Sequence, residues 1–147
     1  MTYRAFELQL KKDPVLAKLF PMDLHRTFPL FSLREGELLL SYAGFAARQT
    51  EQGILAADPA CCMTVSYPRG TLVSFDRLAP GEGETLLPAA DPALVRDLAS
   101  RREEILSAWE QNAPVLPELI RAYNQGLSAL LVPAQAEVLA RSSRQEN

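Results

Sequence analysis

Few residues of this chain have side chains suited to covalent or metal chemistry. His25 is the single histidine, so a Ser–His–Asp or Cys–His arrangement would have to use it. It stands in MDLHRTF, at a helix-to-strand junction, with no partner at a telling spacing. The two cysteines are adjacent, Cys61 and Cys62. On a strand their side chains point to opposite faces. A nucleophilic thiolate needs a base and an electropositive setting. The hairpin expected over 61–78 puts Arg77 opposite Cys61 and Asp76 opposite Cys62, and a facing carboxylate discourages a thiolate at Cys62. Small buried strand residues are the better reading of both cysteines. One histidine and one Cys–Cys pair do not make a four-ligand zinc set. Glu82 and Glu84 have no calcium-loop series around them, and the glycines form neither GxGxxG nor a Walker loop. The sequence therefore points to no catalytic, metal or cofactor-binding residue.

The elements that would hold these residues are easier to read. Cys61 to Leu78, CCMTVSYPRGTLVSFDRL, reads as a β-hairpin. Pro68 and Arg69 suit the centre of a type I turn, and Gly70 suits the positive-φ position that follows. A three-residue loop would oppose Tyr67 to Thr71, Val65 to Val73, Met63 to Phe75 and Cys61 to Arg77. One face then carries Met63, Val65, Tyr67, Val73 and Phe75. The other carries Cys62, Thr64, Ser66, Ser74 and Asp76, with Leu72 as the exception, and is expected to be the wetter side. The run VSYPRGTLVSF resembles the strand–turn–strand of PepSY-type modules, and the turn itself explains most of that likeness, so it implies no function.

Phe28 to Leu33 and Glu37 to Ala47 read as an earlier hairpin around Arg34-Glu35-Gly36, with Leu33 opposite Glu37 and Phe31 opposite Leu39. Its two faces are both apolar, which calls for cover on both sides. Arg48 to Pro59 reads as a polar connection, dipping towards the core at Ile54-Leu55. Upstream, a helix is expected over 2–12, and a second one opened by Asp13-Pro14 and ended by Pro21. Downstream, 79–90 reads as a Pro/Gly-rich linker. Asp91-Pro92 opens a helix running to about Asn112. Leu116, Ile120, Tyr123, Leu127 and Leu130 follow the 4-3-4-3 seam of a packed helix. A last helix is expected over about 134–141.

The expected fold is α+β: one domain over 1–147, with N-terminal helices (1–27), a four-stranded antiparallel meander (28–78), a linker and a C-terminal helical hairpin (91–142). A chain of 147 residues needs no staples to bury a core. The net charge of −3 argues against nucleic-acid binding. No run is apolar and long enough to span a membrane, and the N-terminus carries charge throughout, unlike a signal peptide. Two cysteines read as reduced thiols fit the cytoplasm.

Three functions follow, in falling order. The first is a non-catalytic protein-interaction module, with self-association among its forms; Leu-rich helices in surplus over a four-stranded sheet and an uneven charge distribution motivate it. The second is a small-ligand pocket between sheet and helices lined by Tyr42, Phe45, Tyr67 and Trp109. The third is an enzyme using His25 with Cys62 or Asp76. If a partner is met through the sheet, the free edge of the later hairpin is the expected place.

Overall fold

The computed structural model describes residues 2–14, 28–45, 47–59, 61–77, 83–87 and 91–130. His25, the body of the expected second helix and the expected last helix lie outside them. The fold is α+β, as expected, with one long antiparallel sheet, a smaller sheet and three α-helices among the described residues.

Helix α1 spans Tyr3–Leu10, and Thr2 caps it by accepting a hydrogen bond from the Ala5 N–H at 3.2 Å. Tyr3, Phe6 and Leu10 fall on one stripe and are buried. Strands β1 (Leu30–Arg34) and β2 (Glu37–Gly44) form the first hairpin. Strands β3 (Ala47–Thr50) and β4 (Gly53–Ala57) form a second, and β5 (Cys61–Tyr67) with β6 (Leu72–Arg77) a third. A short β7 (Glu84–Leu86) precedes helix α2 (Pro92–Glu110) and helix α3 (Leu116–Leu127), which ends in a 3-10 turn.

The four-stranded sheet has the order β1-β2-β5-β6, with every neighbour antiparallel. The stretch expected as a polar connection is instead the β3–β4 hairpin. With β7, drawn from within the expected linker, it builds a separate three-stranded sheet. Ile54 does turn inward there, against a small cluster of Ala56, Leu87 and Phe45.

Both hairpin registers differ from expectation near their turns. In the first, Arg34 pairs with Glu37 and Phe31 with Leu40, one residue away from the three-residue-loop pairing. Glu35 and Gly36 both have positive φ, +50° and +83°, which is the two-residue type I′ turn matched to strand twist. In the third, the lower pairs hold as expected: Cys61 with Arg77, Cys62 with Asp76 and Met63 with Phe75. Above them a β-bulge intervenes, and Val65 faces Leu72 rather than Val73. The Tyr67–Pro68 peptide is cis, and the loop does not close from Tyr67 as expected. Ser66 and Thr71 close the loop instead: the Ser66 N–H donates to the Thr71 carbonyl at 2.9 Å, and the Gly70 N–H to the Ser66 carbonyl at 2.9 Å.

The helices share a core with one face of the large sheet. Phe31, Leu38, Leu40, Tyr42, Met63, Val65 and Tyr67 meet Tyr3, Phe6 and Leu10 of α1, Leu98, Ile105 and Leu106 of α2, and the α3 seam. Leu116, Ile120, Tyr123, Leu127 and Leu130 are all buried, as the 4-3-4-3 spacing predicts. The interior strands are β2 and β5, one from the first hairpin and one from the third, and β1 lies at an edge. The opposite face is also closed at its centre. Leu39, Cys62 and Thr64 are buried there, and the Ser41 and Thr64 hydroxyls hydrogen-bond at 2.8 Å. That pairing lets Thr64 be buried on the face expected to be wetter.

Candidate functional site

The outer edge of β6 is an edge of the large sheet open to another molecule among the described residues. Its inner edge is paired to β5, and among the described residues no strand pairs its outer one. Two large apolar side chains stand on this strand: Leu72 is 49% and Phe75 36% exposed. Their register partners, Val65 and Met63, are fully buried on the helix-covered face. Residues three apart on a regular strand point to opposite faces. The bulge places Val73 between the Leu72 and Ser74 pairs and brings Leu72 onto the face of Phe75. Asp76 and Arg77 end the strand, both exposed.

The other edge of the sheet is treated differently. Asn124, on α3, reaches Phe31 of β1. Its Oδ1 accepts from the Phe31 N–H at 3.2 Å, and its Nδ2 donates to the Phe31 carbonyl at 3.0 Å. One side-chain amide thus satisfies both outward polar groups of an edge residue, as a neighbouring strand would.

Beneath the helices lies a buried polar cluster. The Tyr3 and Tyr42 hydroxyls hydrogen-bond at 2.8 Å. The Arg102 guanidinium sits 3.9 Å above the centre of the Tyr3 ring and 4.7 Å from that of Phe28. Glu7 is buried, 3.7 Å from the Lys11 ammonium, and Glu103 accepts from the Tyr3 N–H at 3.0 Å. The Tyr123 hydroxyl is buried nearby without a hydrogen-bond partner among the described residues. Burial pushes the phenols of Tyr3, Tyr42 and Tyr123 well above their ordinary range. They therefore stay protonated at neutral pH, which suits hydrogen-bonding in a packed core and not proton abstraction.

The residues proposed from sequence fall in several places. Tyr67 and Trp109 are in edge-to-face contact, with ring centres 5.5 Å apart, and Phe6 meets Tyr67 from the other helix at 5.3 Å. The Tyr67 hydroxyl donates to Glu110, and the Trp109 indole N–H to the Gly36 carbonyl at 3.1 Å. Tyr42 lies on the same sheet face but is engaged by Tyr3. Phe45 belongs to the small cluster of the second sheet. The three aromatic residues on the helix side pack against protein, and Phe45 is not among them. Cys62 and Asp76 are register partners, with Cys62 buried and Asp76 exposed. Cys61 is a free thiol raised above its ordinary range chiefly by burial, which lowers its reactivity. Among the described residues, no three of His, Cys, Asp and Glu gather as a metal-binding group, and no helix is long and apolar enough to cross a membrane.

The chain matches no family model, no curated protein and no solved structure. Asn124 and Arg102 carry no spacing signal that marks them in the sequence. Leu72 does: it is the one apolar residue on the polar side of the β6 alternation, and the bulge resolves that discrepancy.

Proposed function

We propose that this protein is an interaction module that receives an extended segment of a protein partner along the outer edge of β6. The observation that carries this reading is Leu72 and Phe75, held half-exposed on one face of an edge strand whose outer side no strand pairs among the described residues. Strand addition supplies main-chain hydrogen bonds along the edge, and side chains on one face supply selectivity. The Asn124 amide at the opposite edge supports the same reading, because it takes up the outward polar groups of Phe31 there, while among the described residues nothing pairs the outer side of β6. The setting we propose is the cytoplasm, in keeping with two thiols that are buried and unlinked.

The test is capture by the immobilised full-length chain, compared with its Phe75→Lys variant. The wild type is expected to hold a partner, or further copies of itself, and the variant to lose it. A chain that holds neither, and that is monomeric by light scattering, contradicts the proposal.

A further inference from the structure

We infer that the partner at β6 is a second copy of this chain, the two β6 strands pairing antiparallel about a two-fold axis with Leu72 of each opposite Phe75 of the other. The inference rests on the edge reading above and names its occupant. Leu72 and Phe75 share a face because of the bulge. An antiparallel register that opposes them does so twice, once on each side of the axis. Four half-exposed apolar side chains then meet on the helix-covered side and continue the core from one copy to the next.

The charges agree with this register. It sets Asp76 opposite Thr71 of the partner subunit and next to the turn that carries Arg69 of the partner subunit. Asp76 and Arg69 are both exposed and carry opposite signs. The alternative register that stacks Phe75 on its own copy brings the two Asp76 carboxylates to a diagonal instead, which is unfavourable.

The two edges of the sheet also explain why a pair would form and not a fibre. A sheet open at both ends can add copies without limit. Here Asn124 occupies the polar groups of Phe31 at the β1 end. Of the two ends of this sheet, β6 is then the one whose outer side no strand pairs among the described residues, and an isologous contact through it closes after two copies.

Light scattering of the full chain across the micromolar to millimolar range tests this. The wild type is expected at twice the 16.2 kDa chain mass. Phe75→Lys should halve the measured mass. Asp76→Arg should do the same by facing Arg69, and the double variant Arg69→Asp with Asp76→Arg should restore the dimer. That reciprocal pair keeps the test decisive if Phe75→Lys disturbs folding. Asn124→Leu should produce species heavier than the dimer. A wild type that stays at the single-chain mass throughout overturns the inference. So does a dimer whose mass is unchanged by Phe75→Lys and by Asp76→Arg. If a monomeric wild type still captures a partner that Phe75→Lys loses, the dimer falls and the edge reading stands; if capture fails too, both fall.

Discussion

Tyrosine behaviour is the most specific property visible at single residues. The chain has four tyrosines, and burial pushes all four phenols upward: Tyr3, Tyr42, Tyr67 and Tyr123. At Tyr67 the hydrogen bond donated to Glu110 adds to that burial. A raised folded value means the native state keeps its proton where the unfolded chain would lose it. The associated stability is whole below the unfolded phenol value of about 10 and is lost as pH rises through the folded values. A spectrophotometric titration should therefore show no phenolate in the native protein near the usual tyrosine range. All four should ionise together as the chain unfolds in alkali; a native protein with one normally titrating tyrosine would contradict this. Within the cluster, Tyr42→Phe leaves the Tyr3 hydroxyl without its partner and should cost about 1–3 kcal/mol in urea unfolding. The double variant Tyr3→Phe with Tyr42→Phe should cost less than the two single variants added together. Gly70 makes a second residue-scale test. It has φ +72°, and a Cβ there would lie 2.8 Å from Leu10 Cδ2. Gly36 has φ +83° but open space around it. Gly36→Ala should cost about 1–2 kcal/mol for its backbone alone. Gly70→Ala should cost more, because the buried Leu10 side chain must also give way.

At the scale of elements, the helices were the most legible part of the chain. Asp91-Pro92 marks the start of α2, and the Asp91 carboxylate does accept the Ala93 N–H, at 2.9 Å. Asp91→Ala should lower stability by about 1 kcal/mol, read as a lower melting temperature with unchanged helical signal. The helix expected to run to about Asn112 ends at Glu110, and Asn112 follows it with φ +53°. The Asn112 N–H donates to the Trp109 carbonyl at 3.1 Å and the Ala113 N–H to the Ala108 carbonyl at 2.8 Å, a Schellman closure. A β-branched residue there, as in Asn112→Val, should be destabilising by at least about 1–2 kcal/mol. Strand positions were legible and their registers only partly so. Alternation locates a strand, but the register follows from the turn, and Arg34-Glu35-Gly36 is compatible with loops of two or three residues. The small second sheet was hidden for another reason. Its strands have three to five residues, and Arg48, Gln49 and Glu84 give them little apolar alternation. They are held by pairing and by the small cluster of Ile54, Ala56, Leu87 and Phe45, with the exposed Arg48–Glu84 contact at 3.0 Å adding little.

For the molecule as a whole, the arrangement separates a closed side from an open one. Three helices cover one face of the large sheet, and α3 takes up the outward polar groups of Phe31 at its β1 end through Asn124. The β6 end retains exposed apolar side chains. The sequence anticipated this edge, though for a reason that did not survive: the polar face of the third hairpin is buried at Cys62 and Thr64. What distinguishes the edge is the bulge, which turns Leu72 towards the side of Phe75, and a bulge is invisible in a simple alternation. The most direct test of this account is amide hydrogen exchange along β6 as a function of protein concentration. The outward-facing amides of Leu72–Arg77 should exchange more slowly as concentration rises, while the amides of α2 keep their rates. Exchange along β6 that is the same at every dilution would contradict the account.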